Sequence, residues 1–186
     1  MRPVPGMSSE IVERARRFPG VVEAELDARR AVALSGLAGR RVLDLDDPTA
    51  RMLLVEAIGS PADIETTADH PVGDFDAVVS VAQLVRFPDL SAALVAIDRL
   101  LAPSGRLVAI EPVARPGTLR MVAATPFALA RSTRGFHLGR DLPAAVRTTS
   151  LVIDDIERFT LRTALPTLRH FVAIDARRVD HRQETP

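Results

Sequence analysis

Residues 75–112, FDAVVSVAQLVRFPDLSAALVAIDRLLAPSGRLVAIEP, constrain the fold of this chain more than any other stretch. Phe75 to Val81 is a β-branched, apolar run of strand length, introduced by Gly73-Asp74. Asp89 stands where a helix N-cap belongs, and Leu90, Ala93, Leu94, Ile97, Leu100 and Leu101 then recur at helical spacing on one face. Pro103-Ser104-Gly105 ends the helix and turns the chain. Arg106 to Ile110 is a second buried-type strand, closed by Glu111-Pro112. Two apolar strands joined by one helix form a right-handed βαβ unit in a parallel sheet. Such sheets take ligands at the carboxyl ends of their strands, here Ser80 to Gln83 and Ile110 to Pro112.

The remaining elements follow from the same signals. Ser8 to Phe18 reads as a helix, Pro19-Gly20 breaks it, and Val21 to Leu37 reads as a second helix. Arg41 to Leu45 is a strand that delivers Asp44 to its end; Asp47 or Thr49 can cap a helix over Ala50 to Ile58. A short strand is expected at about Ala62 to Thr66. Leu119 to Arg131 has helical composition interrupted at Pro126. Asp141 is placed to cap a helix over Leu142 to Thr148. Ser150 to Phe159 alternates as a strand, with a phase slip at Asp154-Asp155, and Arg169 to Arg177 is the last strand. A loop holding Pro166 joins the last two strands, which gives the sheet an antiparallel end. With no repeat, linker or shift in composition, the expectation is one domain over residues 1–186, with 1–7 and 179–186 as loose ends.

Composition excludes several classes of function. Net charge is zero and no basic block occurs, so a nucleic-acid partner has no electrostatic footprint. The absence of cysteine removes disulfides and thiolate metal sites, and suits a cytoplasmic protein. The four histidines show no metal-ligand spacing, and no apolar run approaches the ~20 residues of a membrane span. No G-x-S-x-G elbow, phosphate-binding loop or intact G-x-G-x-x-G is present.

FDAVVS at Phe75–Ser80, the Pro88-Asp89 helix start, APSG at Ala102–Gly105 and RLVAIEPV at Arg106–Val113 resemble the second half of a class I S-adenosylmethionine-dependent methyltransferase. Ser104 stands where that family usually has glycine. GFHLGRD at Gly135–Asp141 is similar to the segment opening the last helix in the type 11, quinone-biosynthesis-like small-molecule branch. The resemblance implies a three-layer, Rossmann-like α/β fold: a mostly parallel sheet with an antiparallel last strand. It also implies S-adenosylmethionine as cofactor, a small-molecule acceptor, and His137 as a candidate base beside that acceptor.

Where the family carries its cofactor motif, this chain departs from it. VLDL at Val42–Leu45 matches the family's first strand, but the following glycine-rich loop is replaced by Asp46-Asp47-Pro48-Thr49-Ala50. Glycines let a cofactor lie against loop backbone, and free N–H groups bind its carboxylate. A carboxylate ligand ~4 Å from one of these acids meets about 4 kcal/mol of repulsion at an effective dielectric of ~20. Residues 46–74, 29 in number, hold one helix and one short strand where the family fits two of each, so one strand–helix pair is missing. If the strand at Asp63–Glu65 is the family's second, Glu65 is the acid for the ribose hydroxyls; if it is the third, Asp69 is the acid for the adenine amine. The candidate cofactor-binding set is therefore Asp44, Asp46, Asp47, Thr49, Glu65, Asp69, Ser80, Val81 and Gln83.

Two functions follow from the resemblance. One is an S-adenosylmethionine-dependent methyltransferase with a small-molecule acceptor. The other is a non-catalytic pseudo-methyltransferase that serves as a partner or scaffold subunit, in a homo- or heterodimer, and leaves the cofactor unbound.

Overall fold

A computed structural model of the chain describes residues 23–59, 73–113, 136–161 and 169–179. In these, α1 (Glu23–Ser35) precedes β1 (Val42–Asp44), α2 (Pro48–Gly59) and β2 (Phe75–Val81). A 3₁₀ turn (Leu84–Arg86), α3 (Leu90–Leu100) and β3 (Leu101–Pro112) follow, then α4 (Leu142–Val146), β4 (Leu151–Thr160) and β5 (His170–Arg178). The strands form one sheet in the order β1-β2-β3-β5-β4. β1, β2 and β3 are parallel, while β5 runs antiparallel to both β3 and β4. The fold is the expected α/β sheet with an antiparallel last strand. The expected helix at 8–18, the strand at 62–66, the 119–131 segment, Glu65, Asp69 and most of the polar tail lie outside the described residues.

Local chemistry accounts for the element ends. The Asp89 carboxylate accepts from the N–H of Ala92 and caps α3, and Asp141 accepts from Ala144 and caps α4. The phase slip expected at Asp154-Asp155 is a register shift between Ile153 and Asp155 in the β4–β5 ladder.

β3 differs from its expected span, starting at Leu101 rather than Arg106. Leu101 pairs with Phe75 and Arg106 with Ala77, so residues 102–105 form a bulge rather than a free turn. The bulge explains two residues. Ser104 has φ 62°, a left-handed conformation that favours the glycine usual at this position in the resembled family. A Cβ on Gly105 would lie 2.8 Å from the Ala102 carbonyl oxygen and 3.0 Å from that of Phe75, so no other residue fits without a backbone shift.

Two cores flank the sheet. Val78 points to one side, with Leu43, Leu45, Ala50 and Leu54 of the β1–α2 region, Leu94 and Ile97 of α3, and Val146 of α4. Ala77, Val79 and Val81 point to the other, with Leu26 and Leu37 from α1 and its following turn. α2 also packs on α3. Thus α2, α3 and α4 share one face, and among the described residues α1 is the helix on the other.

This placement follows from chain handedness. The chain steps from β1 to β2 to β3 in one direction across the sheet, and right-handed crossovers then put both connecting helices on the same face. Among the described residues, β1 and β2 therefore do not form a switch point. A switch point requires two connections that leave adjacent strand ends for opposite faces.

Relief of the bulge strain is measurable. Ser104→Gly is expected to raise unfolding free energy by ~0.5–1 kcal/mol, and Gly105→Ala to lower it by ~2 kcal/mol or more, in denaturant titrations of the two variants.

Candidate functional site

The carboxyl end of β1 is a closed polar knot. The N–H of Leu45 continues the ladder to the carbonyl of Val79 at 2.9 Å. The N–H of Asp46 donates to Asp44 Oδ1 at 3.0 Å, and that of Asp47 to the Asp44 carbonyl at 3.0 Å. Pro48 has no N–H, and that of Thr49 donates to Asp47 Oδ1 at 2.8 Å. Asp47 is thereby the cap of α2. Every backbone donor from Leu45 to Thr49 is bonded within the chain.

Side chains complete the knot from both sides. Arg30 of α1 donates through Nε and Nη2 to Asp44 Oδ2, and its Nη1 lies 3.5 Å from Asp46 Oδ2. The hydrogen bond to Asp44 raises the Arg30 pKa further above its ordinary value, opposed by burial. Arg51 is 2% exposed, and its Nη1 donates to the carbonyls of Leu45 at 2.7 Å and Asp46 at 2.8 Å. Burial pulls the Arg51 pKa down, partly offset by Asp46, Asp47 and Asp44. Gln83, beyond the end of β2, donates from Nε2 to Asp46 Oδ1 at 3.2 Å and ties the two strand ends together. Its own Oε1 is buried without a hydrogen-bond partner among the described residues.

The second centre is Glu111 at the end of β3, 3% exposed. Its Oε1 accepts from Ser80 Oγ at 2.6 Å and from the N–H groups of Gln83 and Leu84 at 3.2 and 3.0 Å; its Oε2 accepts from that of Val85 at 3.0 Å. Burial pushes the carboxyl pKa up, against the pull of these four donors. Ala82, at φ 53°, bends the chain so that these N–H groups converge. The far end of the segment is held by Arg140, whose guanidinium donates to the carbonyls of Phe87 and Pro88. The backbone N–H of His137 donates to the Val85 carbonyl at 2.8 Å. The His-x-x-Arg-Asp segment thus clamps residues 85–88 and caps α4. His137 itself is an exposed side chain lining a cavity of about 20 Å³ with Glu111 and Arg140, room for about one water. Desolvation and the Arg140 charge hold its pKa below the ordinary histidine value.

Of the residues singled out from sequence, Asp44, Asp46 and Gln83 meet at one place. Asp47 faces the start of α2, and Thr49 meets it through its backbone N–H. Ser80 is bonded to Glu111 and Val81 is packed in the α1-side core. Glu65 and Asp69 lie outside the described residues. Arg30, Arg51 and Glu111 were missed. Glu111 carried a signal, an acid directly closing an apolar strand. Arg30 and Arg51 did not, since each sits in a helix whose sequence reads as an ordinary arginine-bearing surface.

The residues present do not fit the amino-acid end of S-adenosylmethionine. That group needs free N–H donors and close backbone approach, whereas here the donors are spent and carboxylates line the loop.

Solved structures share the fold, three of them as follows. A candidate methyltransferase of Bacillus halodurans C-125 superposes with TM-score 0.54 at 12% identity, over 84% of this chain and 100% of that one. An S-adenosylmethionine-dependent methyltransferase of Methanosarcina mazei superposes with TM-score 0.51 at 14% identity, over 79% and 97%. A candidate sarcosine dimethylglycine methyltransferase of Galdieria sulphuraria superposes with TM-score 0.53 at 11% identity, over 93% and 98%. No family model and no curated protein matches the sequence. The likeness shows that this chain has the fold of S-adenosylmethionine-dependent methyltransferases.

Because Glu111 has a raised folded-state pKa, its contribution to stability is fully present below the unfolded carboxyl value of ~4.3 and declines as pH rises through the folded value. Glu111→Gln leaves the Val85 N–H facing an amide donor and is expected to cost ~1–3 kcal/mol. Denaturant melts between about pH 4 and 8 should show the gap between native chain and variant largest at the acid end.

Proposed function

We propose that this chain is a non-catalytic pseudo-methyltransferase, a partner or scaffold subunit that does not bind S-adenosylmethionine at working concentrations. The observation that carries this reading is the saturated loop: every N–H from Leu45 to Thr49 is bonded within the chain. The shared face of α2 and α3 supports it independently, because among the described residues the helices after β1 and β2 do not part to opposite faces. The role fits a cytoplasmic protein that pairs with a like or unlike chain. The Gly135–Asp141 segment suggests descent from the type 11, quinone-biosynthesis-like branch.

A working methyltransferase acting on a small molecule is the second reading. What favours it is His137, exposed and with its pKa lowered, so that the ring is neutral near pH 7 and able to take a proton.

Calorimetric titration of S-adenosylmethionine into the native chain separates the two. The expected result is no heat of binding at ordinary micromolar protein. The triple variant Asp46→Gly, Asp47→Gly, Pro48→Gly is expected to stay silent as well, because removing the acids does not move α2 to the other face. Tight binding by the native chain would overturn the proposal. Binding by the triple variant alone would assign the block to the loop acids rather than to topology.

A further inference from the structure

The α1 face of the sheet carries a groove that neither reading uses. It has a volume of about 480 Å³ and runs between α1 and strands β3, β5 and β4. Glu25, Ala28, Arg29, Val32 and Ala33 line one side, at the spacing of a single helical stripe. Val108, Ile110 and Ala173 supply an apolar floor, with Asp155, Glu157 and Asp175 at the rim.

Three features of this groove describe its occupant. Val32, on the α1 stripe, is 73% exposed, the most exposed large hydrophobic side chain among the described residues. Space beside a helix lying on a sheet takes another helix, packed about 8–10 Å away, so that both bury their apolar stripes. The rim sets the charge. Glu157 is paired with Arg29, which also lies over the Phe159 ring, and Asp175 is paired with Arg106. Arg177 is paired with Asp154 beside them. Glu25 and Asp155 remain as carboxylates with no ion pair or hydrogen bond among the described residues. An apolar trough bordered by two uncommitted carboxylates fits a helix with one apolar face and a basic flank.

We propose that this groove is the docking site for a basic amphipathic helix from a partner protein. The proposal rests on the partner-subunit reading and gives that partner its chemistry. Leucine-type side chains of the incoming helix would cover Val32, Val108 and Ala173, and its arginine or lysine side chains would meet Glu25 and Asp155.

The test uses the full chain and a helical peptide of about 14 residues, roughly 21 Å long, with leucine on one face and arginine on the other. A twin peptide carries glutamate for arginine. Fluorescence anisotropy is expected to show binding of the arginine peptide and none of its twin. Val32→Asp and the pair Glu25→Arg, Asp155→Arg should each weaken binding about tenfold or more, with the folded circular dichroism spectrum retained. Met52→Asp, on the opposite face, should leave binding unchanged. Equal binding of both peptides, no binding of either, or indifference to the groove variants would overturn the proposal. So would an intramolecular disulfide in the Ile11→Cys, Val32→Cys variant of this cysteine-free chain, which would make the chain's own leading segment the occupant. Binding of S-adenosylmethionine in a separate titration would sink the pseudo-enzyme reading without touching the groove, so the two failures are distinguishable.

Discussion

The handedness of the crossovers governs the rest of this structure. A right-twisted strand feeding a right-handed helix packs back onto its sheet in one sense only. In this chain β1, β2 and β3 follow one another across the sheet, so α2 and α3 fall on one face and pack together. A doubly wound sheet binds its ligand where connections part to opposite faces. Here they do not part at β1 and β2. The strand ends are instead tied by Gln83 to Asp46, and the loop after β1 turns its donors inward.

That arrangement sets what the polar residues at the strand ends do. Asp44 lies at the end of a strand that resembles the family's first, yet it receives Arg30 and the N–H of Asp46. The acids at Asp46 and Asp47 would repel a carboxylate ligand, but in the folded chain they are a salt-bridge partner and a helix cap. Glu111 and Arg140 clamp the segment after β2 at opposite ends, the carboxylate on N–H groups and the guanidinium on carbonyls. Each charge sits where backbone dipoles of opposite sign converge, and this holds the left-handed Ala82 in place.

Much of the fold was legible in the sequence. The βαβ run from Phe75 to Pro112 has strong apolar periodicity and a capping aspartate, and its first strand and the start of its helix lie where those signals put them. The slip at Asp154-Asp155 was readable because a bulge breaks alternation. The start of β3 was not, because Pro103-Ser104-Gly105 reads as a turn and only the ladder reveals a bulge. The site was less legible. Sequence placed Asp44, Asp46 and Gln83 at strand ends, but the face on which α2 packs is a property of strand order. Arg30 and Arg51 act through tertiary contacts that leave no local pattern.

The central claim is that the described residues form no donor crevice between β1 and β2, and ligand-linked stability tests it most directly. A site with a dissociation constant of ~10 μM would add about 2.7 kcal/mol at ~1 mM ligand, a shift of several degrees in a chain of this size. The thermal midpoint of the native chain with and without ~1 mM S-adenosylmethionine is predicted to be the same. A rise of several degrees would contradict the account and place the donor in a site that the closed loop of Asp44 to Thr49 does not provide.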